Sequence, residues 1–322
     1  MNRPVELSVI IPALNEALHI DSLVRSINDL DDTEKEILIV DGGSTDGTPQ
    51  IVNALSSENP KIRLIENPEK YVSQGFNKAF RNANGKYISL IGAHSVYPKD
   101  YFKKCIQEIQ SGACEVAGGF LNQEGKTSTG KAISRCMSSK FGVGNTAFRT
   151  IKKRNYVDSV AFAVYDRKIF DQVGLLDEEL VRNQDDEFHY RLNKNGFRIL
   201  LLPELEVTYY VRNSIKKLFS QYYQYGYYKP LVFMKVSSGV RLRHLIPSLF
   251  VTYMATLPLM FFFTWWIVPL LIYIFLNLIF SFRAKEAWSI KFKMPLIFFV
   301  LHTAYGLGFI IGFFKWILPG KN

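Results

Sequence analysis

Cysteine is scarce in this 322-residue chain, and its three, Cys105, Cys114 and Cys136, have no metal-ligand spacing. That excludes a disulfide framework and a zinc ribbon, and the thiols read as reduced and inert. Acid is the scarcer charge: 29 Asp and Glu against 39 Lys and Arg leave a formal net charge of +10. The surplus makes no basic stripe with interleaved stacking aromatics, so no nucleic-acid partner is expected. The opening residues, MNRPVELSVI, lack the apolar core of a secretory leader, so the soluble part is expected to face the cytoplasm. No internal repeat is present.

Apolar residues are plentiful but unevenly spread. The first two thirds have the composition of a soluble protein, whereas Leu245 to Leu318 is dominated by Leu, Ile, Phe and Trp. Basic residues flank that part: Lys229, Lys235, Arg241 and Arg243 before it, and Arg283, Lys285, Lys291 and Lys293 within it. Such placement suits a surface of anionic lipid. Leu245 to Phe282 as one helix would be roughly 57 Å long against a hydrocarbon core of about 30 Å. It must break, and Pro258 to Pro269 is the place, with a turn near Thr264. Pro295 to Leu318 supplies a further span, and the basic flanks put the C-terminus on the outer side. The tyrosine-rich stretch Ser214 to Val236 predicts a helix lying on the bilayer, with an ordinary packed helix as the alternative. Three regions follow: a cytosolic domain over 1–212, an amphipathic interfacial segment over 213–243 and a membrane region of about three spans over 244–320.

The soluble part alternates strands and helices. Leu7 to Pro12 reads as a buried strand, followed by a helix from Asn15-Glu16 to about Leu30. Ile37-Leu38-Ile39-Val40 is a second buried run. It stops at Asp41, turns through Gly42-Gly43-Ser44 and re-enters a helix near Thr48, with Asp46 or Thr48 as cap and Pro49 at its first position. Ile62 to Ile65 and Lys86 to Ile91 are further strands, with a helix over Ser73 to Asn82 between them. The alternation predicts an α/β fold with a doubly wound, mostly parallel sheet. Asp41 then lies at the carboxyl end of a strand, where ligands bind in such sheets. A well-made turn with a solvated Asp is the plainer alternative. Beyond Ala113, Glu115 to Phe120 and Val160 to Tyr165 read as strands and Asp185 to Lys194 as a helix. Asn122 to Thr150, rich in Gly, Ser, Thr and Lys, reads as a mobile loop around a short helix, with Gly142 and Gly144 as hinges.

Four stretches carry a family likeness: SVIIPALNEALHI, VDGGSTDGT, the turn GAHSVYP and the helix start NQDDEFHYRL. Over about Leu7 to Gly226 the chain resembles the family 2 glycosyltransferases of GT-A fold. It is most similar to the membrane-attached subgroup that includes succinoglycan-type glucosyltransferases of exopolysaccharide synthesis. The resemblance implies a GT-A domain followed by an interfacial helix and transmembrane helices. It implies that Pro12, Ala13 and Glu16 frame a nucleotide base, that Asp41 binds uracil and that Ser44 lies beside the nucleotide. The family's DxD motif, which holds ribose and a divalent metal on the diphosphate, falls on Gly92, Ala93 and His94. Its Glu-Asp pair, whose Asp is the general base, falls on Gln184-Asp185. Gln221 and Gln224 fall on a later motif that contacts donor phosphates or acceptor.

Sugar transfer from a nucleotide diphosphate needs a base for the acceptor hydroxyl, compensation for the leaving diphosphate, and alignment of both about the anomeric carbon. Asp185 is the candidate base, with Asp186 second. A divalent metal, Mn or Mg, is expected on a weaker site built on His94, because hard cations prefer oxygen ligands and Gly92 and Ala93 offer none; a metal-independent transferase is the alternative. His94 either ligates a weaker site, hydrogen-bonds a phosphate directly, or is satisfied locally, and Gly92 widens the site. The expected activity is an inverting, non-processive transfer of a hexose from a UDP-sugar to a lipid-linked polyprenyl saccharide at the membrane. Transfer onto polyprenyl phosphate, or a silent nucleotide-sugar-binding subunit, are the alternatives.

Overall fold

Residues 4–144, 146–236 and 241–317 are described by a computed structural model. Strand β1 (Leu7–Ala13) leads to helix α1 (Ile20–Asn28), β2 (Lys35–Asp41) to α2 (Thr48–Glu58), and β3 (Ile62–Glu66) to α3 (Val72–Asn82). Strand β4 (Tyr87–Leu90) passes through a short β5 (Ser95–Val96) to α4 (Tyr101–Gln110). Then come β6 (Val116–Glu124), α5 (Ser128–Met137), α6 (Lys140–Val143), α7 (Ala147–Thr150), β7 (Asn155–Tyr156) and β8 (Val164–Asp166). Helices α8 (Lys168–Val173) and α9 (Gln184–Lys194) precede β9 (Ile199–Tyr210). The rest is helical: α10 (Ile215–Lys235), α11 (Leu242–Ala255), α12 (Val268–Phe282), α13 (Trp288–Lys291) and α14 (Met294–Trp316). Two compact units result, 1–122 with 151–209, and 123–150 with 210–322.

In the first unit the strand order is β3-β2-β1-β4-β8-β6-β9-β5, with β7 beside β9. Strand β2 is buried throughout and β1 everywhere but Pro12, as strands covered on both faces require. Pairing is parallel from β3 through β2 and β1 to β4, and antiparallel where β8 meets β4 and β6. The register sets Ala13 opposite Asp41 and Asp41 opposite Glu66, so three strands end together. The helix expected from Asn15 begins only at Ile20. Asn15 has a left-handed backbone (φ 57°), and the amides of residues 15–17 are spent on the neighbouring turn. The strand expected over Val160 to Tyr165 is shortened to β8 because Phe162, at φ 52°, breaks the extended path.

In the second unit the stretch read as a loop around a short helix carries three helices among its described residues. Strand β6 continues to Glu124, and α5 buries Ala132, Ile133, Cys136 and Met137. Its helical apolar spacing is hidden in a polar composition, and Thr127 caps it by accepting from the Gly130 amide at 3.0 Å. Gly142 is not a hinge: a Cβ there would collide with the Cys136 carbonyl, so the glycine permits close packing. Phe141 stacks on Phe280 and sits edge-on to Phe298 and His302.

The apolar tail breaks where its prolines predict. Helix α11 ends at Ala255, 3₁₀ turns cover Leu257–Phe261 and Thr264–Ile267, and α12 starts with Pro269 in its first turn. The Tyr253 hydroxyl donates to the Trp266 carbonyl at 2.7 Å and stitches the turn. Among the described residues two segments, Thr264–Phe282 and Trp288–Trp316, are long and apolar enough to cross a membrane. Helix α11 has 14 residues. The expected position of the C-terminus falls on residues 318–322, outside the described residues. Helix α10 packs along α14 by backbone approach: a Cβ on Gly226, Gly308 or Gly312 would strike a carbonyl of the facing helix.

Candidate active site

The carboxyl edge of the parallel strands collects most of the residues that the sequence singles out. Asp41 closes β2, and its Oδ2 accepts the amides of Gly43 and Ser44, both at 3.0 Å. The residue is 6% exposed, and Oδ1 is buried with no hydrogen-bond donor among the described residues. An unmet buried carboxylate oxygen is costly, so this is an acceptor with room for a donor that the described residues do not supply.

Around Asp41 the loops after β1 and β2 are sewn together. The Asn15 amide donates to Ser44 Oγ at 2.8 Å, and the Thr45 amide to Asn15 Oδ1 at 2.9 Å. The Glu16 amide donates to Thr48 Oγ1 and the Ala17 amide to Asp46 Oδ2, both at 2.9 Å. The Thr48 hydroxyl first, then the Ala17 amide, hold the Asp46 carboxyl below its usual range. Asp46 and Thr48 therefore fasten two loops, and Ser44 has a structural duty too. Pro12 and Ala13 are the last residues of β1, beside Asp41 in register.

Glu16 turns its carboxylate to His94, Oε1 to Nε2 at 2.9 Å. His19 meets the His94 ring edge-on at 5.5 Å. His94 follows Gly92 and Ala93 at the end of β4. Gly92 does not widen the site: a Cβ there would lie 2.9 Å from Phe162 Cε1, so the phenyl ring already fills that place. Among the described residues no group of three or more His, Cys, Asp or Glu stands so as to hold a metal ion. Gly92 and Ala93 bring no side-chain ligand atom and one His94 nitrogen is engaged by Glu16, so this turn offers a divalent cation no carboxylate oxygen of its own.

Asp185 is an exposed residue in the first turn of α9. The chain leading to it is docked on α3, which follows β3. Asn77 Nδ2 donates to the Leu176 carbonyl at 2.9 Å, and Gln74 Nε2 to the Glu178 carbonyl at 3.0 Å. The three acids of this turn divide by role. Glu187 is buried and forks onto Arg191, with both contacts at 2.8 Å. Asp185 and Asp186 are more open. Gln221 and Gln224 lie on α10 in the second unit, where Gln221 donates to the Tyr225 hydroxyl at 2.8 Å.

Some participants carried no sequence signal. Asn67 donates its amide to the Asp41 carbonyl at 2.8 Å, while its own buried Oδ1 has no donor among the described residues. Gln184, which the motif does point to, has a buried Oε1 in the same condition. Phe162 lies far from Gly92 in sequence, and only the fold brings them together.

A mixed sheet whose parallel half ends on a carboxylate, with helices on either side, is the architecture of GT-A transferases. A mannosyltransferase from Pyrobaculum calidifontis, solved in complex with GDP-Man and Mn2+, superposes with a TM-score of 0.61 over 94% of this chain and 87% of that one. At 17% identity that likeness speaks for the fold alone. The profile described as Glycosyl transferase family 2 matches residues 8–174, and the chain belongs to that family. The succinoglycan biosynthesis protein ExoA of Rhizobium meliloti is 31% identical over 74% of this chain and 73% of its own length. A dolichyl N-acetyl-alpha-D-glucosaminyl phosphate 3-beta-D-2,3-diacetamido-2,3-dideoxy-beta-D-glucuronosyltransferase of Methanococcus voltae is 28% identical, covering 96% of this chain and 97% of that protein. The chain is thus a glycosyltransferase, of a family engaged in polysaccharide and lipid-linked glycan synthesis.

Proposed function

We propose that this glycosyltransferase moves a hexose from a UDP-sugar to a lipid-linked saccharide at the cytoplasmic face of the membrane, with inversion and one sugar per encounter. The observation that carries the donor half is Asp41. Its Oδ2 is held by two amides and its Oδ1 is buried without a donor among the described residues. Uracil offers one N–H between two carbonyls and satisfies such an oxygen. Pro12, Ala13, Glu16 and Ser44 line the same edge.

Asp185 is the base. It takes the proton of the acceptor hydroxyl as that oxygen attacks the anomeric carbon. The bond from that carbon to the diphosphate breaks, and UDP leaves with the electron pair. A single base suffices for a single displacement, which inverts the centre. Gln221 and Gln224 meet donor phosphate or acceptor through hydrogen bonds. Residues 1–212 act as the catalytic part, 213–243 as the interfacial segment and 244–320 as the anchor. The lipid acceptor is supported by the two span-length segments and by the M. voltae relative, whose name is that of an enzyme acting on a dolichyl-linked sugar phosphate.

The deciding experiment is nucleotide release by the purified chain in detergent, over a panel of UDP- and GDP-sugars with a polyprenyl-linked saccharide acceptor. One UDP-sugar is expected to turn over. Asp185→Asn is expected to cut kcat by about 10² or more with little change in donor binding. Asp41→Asn, which puts an amide N–H against either the Gly43 and Ser44 amides or the base, is expected to weaken UDP by about tenfold. Full turnover by Asp185→Asn removes it as base, and preference for GDP-sugars removes the uracil assignment.

A further inference from the structure

At the end of β4 the place of a side chain on residue 92 is already taken by the Phe162 ring. Phe162 holds a left-handed backbone at φ 52°, a conformation that bulky residues adopt only where their surroundings impose it. Those surroundings are visible. The buried Tyr101 hydroxyl donates to the Phe162 carbonyl at 2.8 Å. The Phe162 ring packs edge-on to Tyr97 at 5.8 Å and tilted to Tyr209 at 6.4 Å. The Tyr97 hydroxyl accepts the Gly92 amide at 3.3 Å, so the glycine and the ring are braced by one aromatic cluster. The outcome is a phenyl edge 2.9 Å from where any side chain at position 92 would begin. A carboxylate cannot stand there unless the ring withdraws. The two following residues do not compensate: Ala93 has no side-chain ligand atom, and His94 Nε2 is engaged by Glu16 at 2.9 Å.

We infer that this chain binds its donor nucleotide without anchoring a divalent cation, and that the Gly92–Phe162 contact is the device that excludes one. The inference rests on the nucleotide-sugar reading above and deepens it. Position 92 alone does not set the property. A carboxylate restored there still meets the ring, so cation dependence requires a change at both positions. Phe162→Gly is the natural second change, because glycine takes φ 52° without strain.

The test is calorimetric titration of UDP into the full chain in detergent micelles, with EDTA and with excess Mn2+. The unaltered chain is expected to bind UDP with affinities within about threefold of each other in the two conditions. A loss of more than about tenfold in EDTA overturns the inference and leaves the nucleotide-sugar reading standing. No UDP binding in either condition overturns both. The variants add a second, independent reading, with folding checked by thermal melting. Gly92→Asp alone is expected to gain no Mn2+ dependence, whereas Gly92→Asp with Phe162→Gly gains at least about tenfold in UDP affinity on adding Mn2+. Mn2+ electron paramagnetic resonance reports the bound ion directly. Equal Mn2+ gain in the single and double variants shows that the ring is no barrier and overturns the proposal.

Discussion

His189 shows how the candidate base is held in place. It lies one helical turn after Asp185 on α9, buried, with Nε2 at 3.0 Å from the Tyr165 hydroxyl. Burial pushes its imidazole down to about 4, against a weaker opposing pull from Asp186. The ring is therefore neutral near pH 7 and shares a hydrogen bond through Nε2 with the Tyr165 hydroxyl. Burial likewise raises the Tyr165 hydroxyl far above its usual range, so it stays protonated. Between about pH 6.5 and the folded value, the unfolded chain binds a proton that the folded chain refuses. Stability is thus flat above about pH 6.5 and falls as pH drops through that window, by on the order of 3 kcal/mol in all. Denaturation midpoints at about pH 7.5 and about pH 5 should show the loss, and His189→Gln, which keeps a hydrogen-bond partner for Tyr165 but does not titrate, should remove much of the slope. A slope of the same size in the variant would show that His189 is not its source. The neighbouring Glu187 has a different fate. Its fork onto Arg191 ties α9 to the carbonyls of Val173 and Leu175.

Helix α14 reads along the chain as little more than an apolar run, yet its glycines decide how it packs. Gly308 and Gly312 face the carbonyls of Tyr223 and Tyr227 on α10, and Gly226 of α10 faces Tyr305. Small residues let two backbones approach, and that approach replaces a hydrophobic driving force where lipid surrounds the helices. Gly308→Leu should therefore lower the melting temperature in detergent, at an overpacking cost of about 1–3 kcal/mol, whereas Leu307→Ala, on the more open side, should move it little. Equal shifts would deny the glycine contact its role. Periodicity exposes such elements unequally. The runs of β1 and β2, the break between Pro258 and Pro269, and Asp41 at a strand end were legible because each depends on local pattern. Helix α5 was legible only as a short helix in a loop, since four buried apolar residues on a Ser- and Lys-rich stretch resemble a loop until α13 and α14 cover them. The delayed start of α1 was also hidden, because it comes from amides that bond across to Ser44, Asp46 and Thr48. In the site, Asp41 and Asp185 could be named from motifs. Asn67 and Phe162 could not, because an unmet acceptor or a blocking ring is a property of assembled space.

At the scale of the whole molecule the joining of a transferase domain to apolar helices has a kinetic meaning. Large apolar side chains, among them Phe261, Phe262, Trp265, Phe275 and Phe314, are exposed on the second unit, as a lipid-facing surface requires. Helix α14, with 23 residues, is about 34 Å long and matches a hydrocarbon core of about 30 Å. An enzyme and an acceptor confined to one bilayer meet at a concentration set by the membrane area, not by the bulk volume. The proposed reaction should therefore obey surface dilution. With the chain and a polyprenyl-linked acceptor together in vesicles, adding acceptor-free lipid to the same bilayers at constant bulk acceptor should lower the rate in proportion to the surface density. Adding separate acceptor-free vesicles should leave it unchanged. A soluble, short-chain acceptor should be insensitive to both additions and should show a much higher apparent KM. If the long-chain acceptor ignored surface density, the apolar helices would serve to place the enzyme but not to concentrate its substrate, and the acceptor would have to reach Asp185 from water.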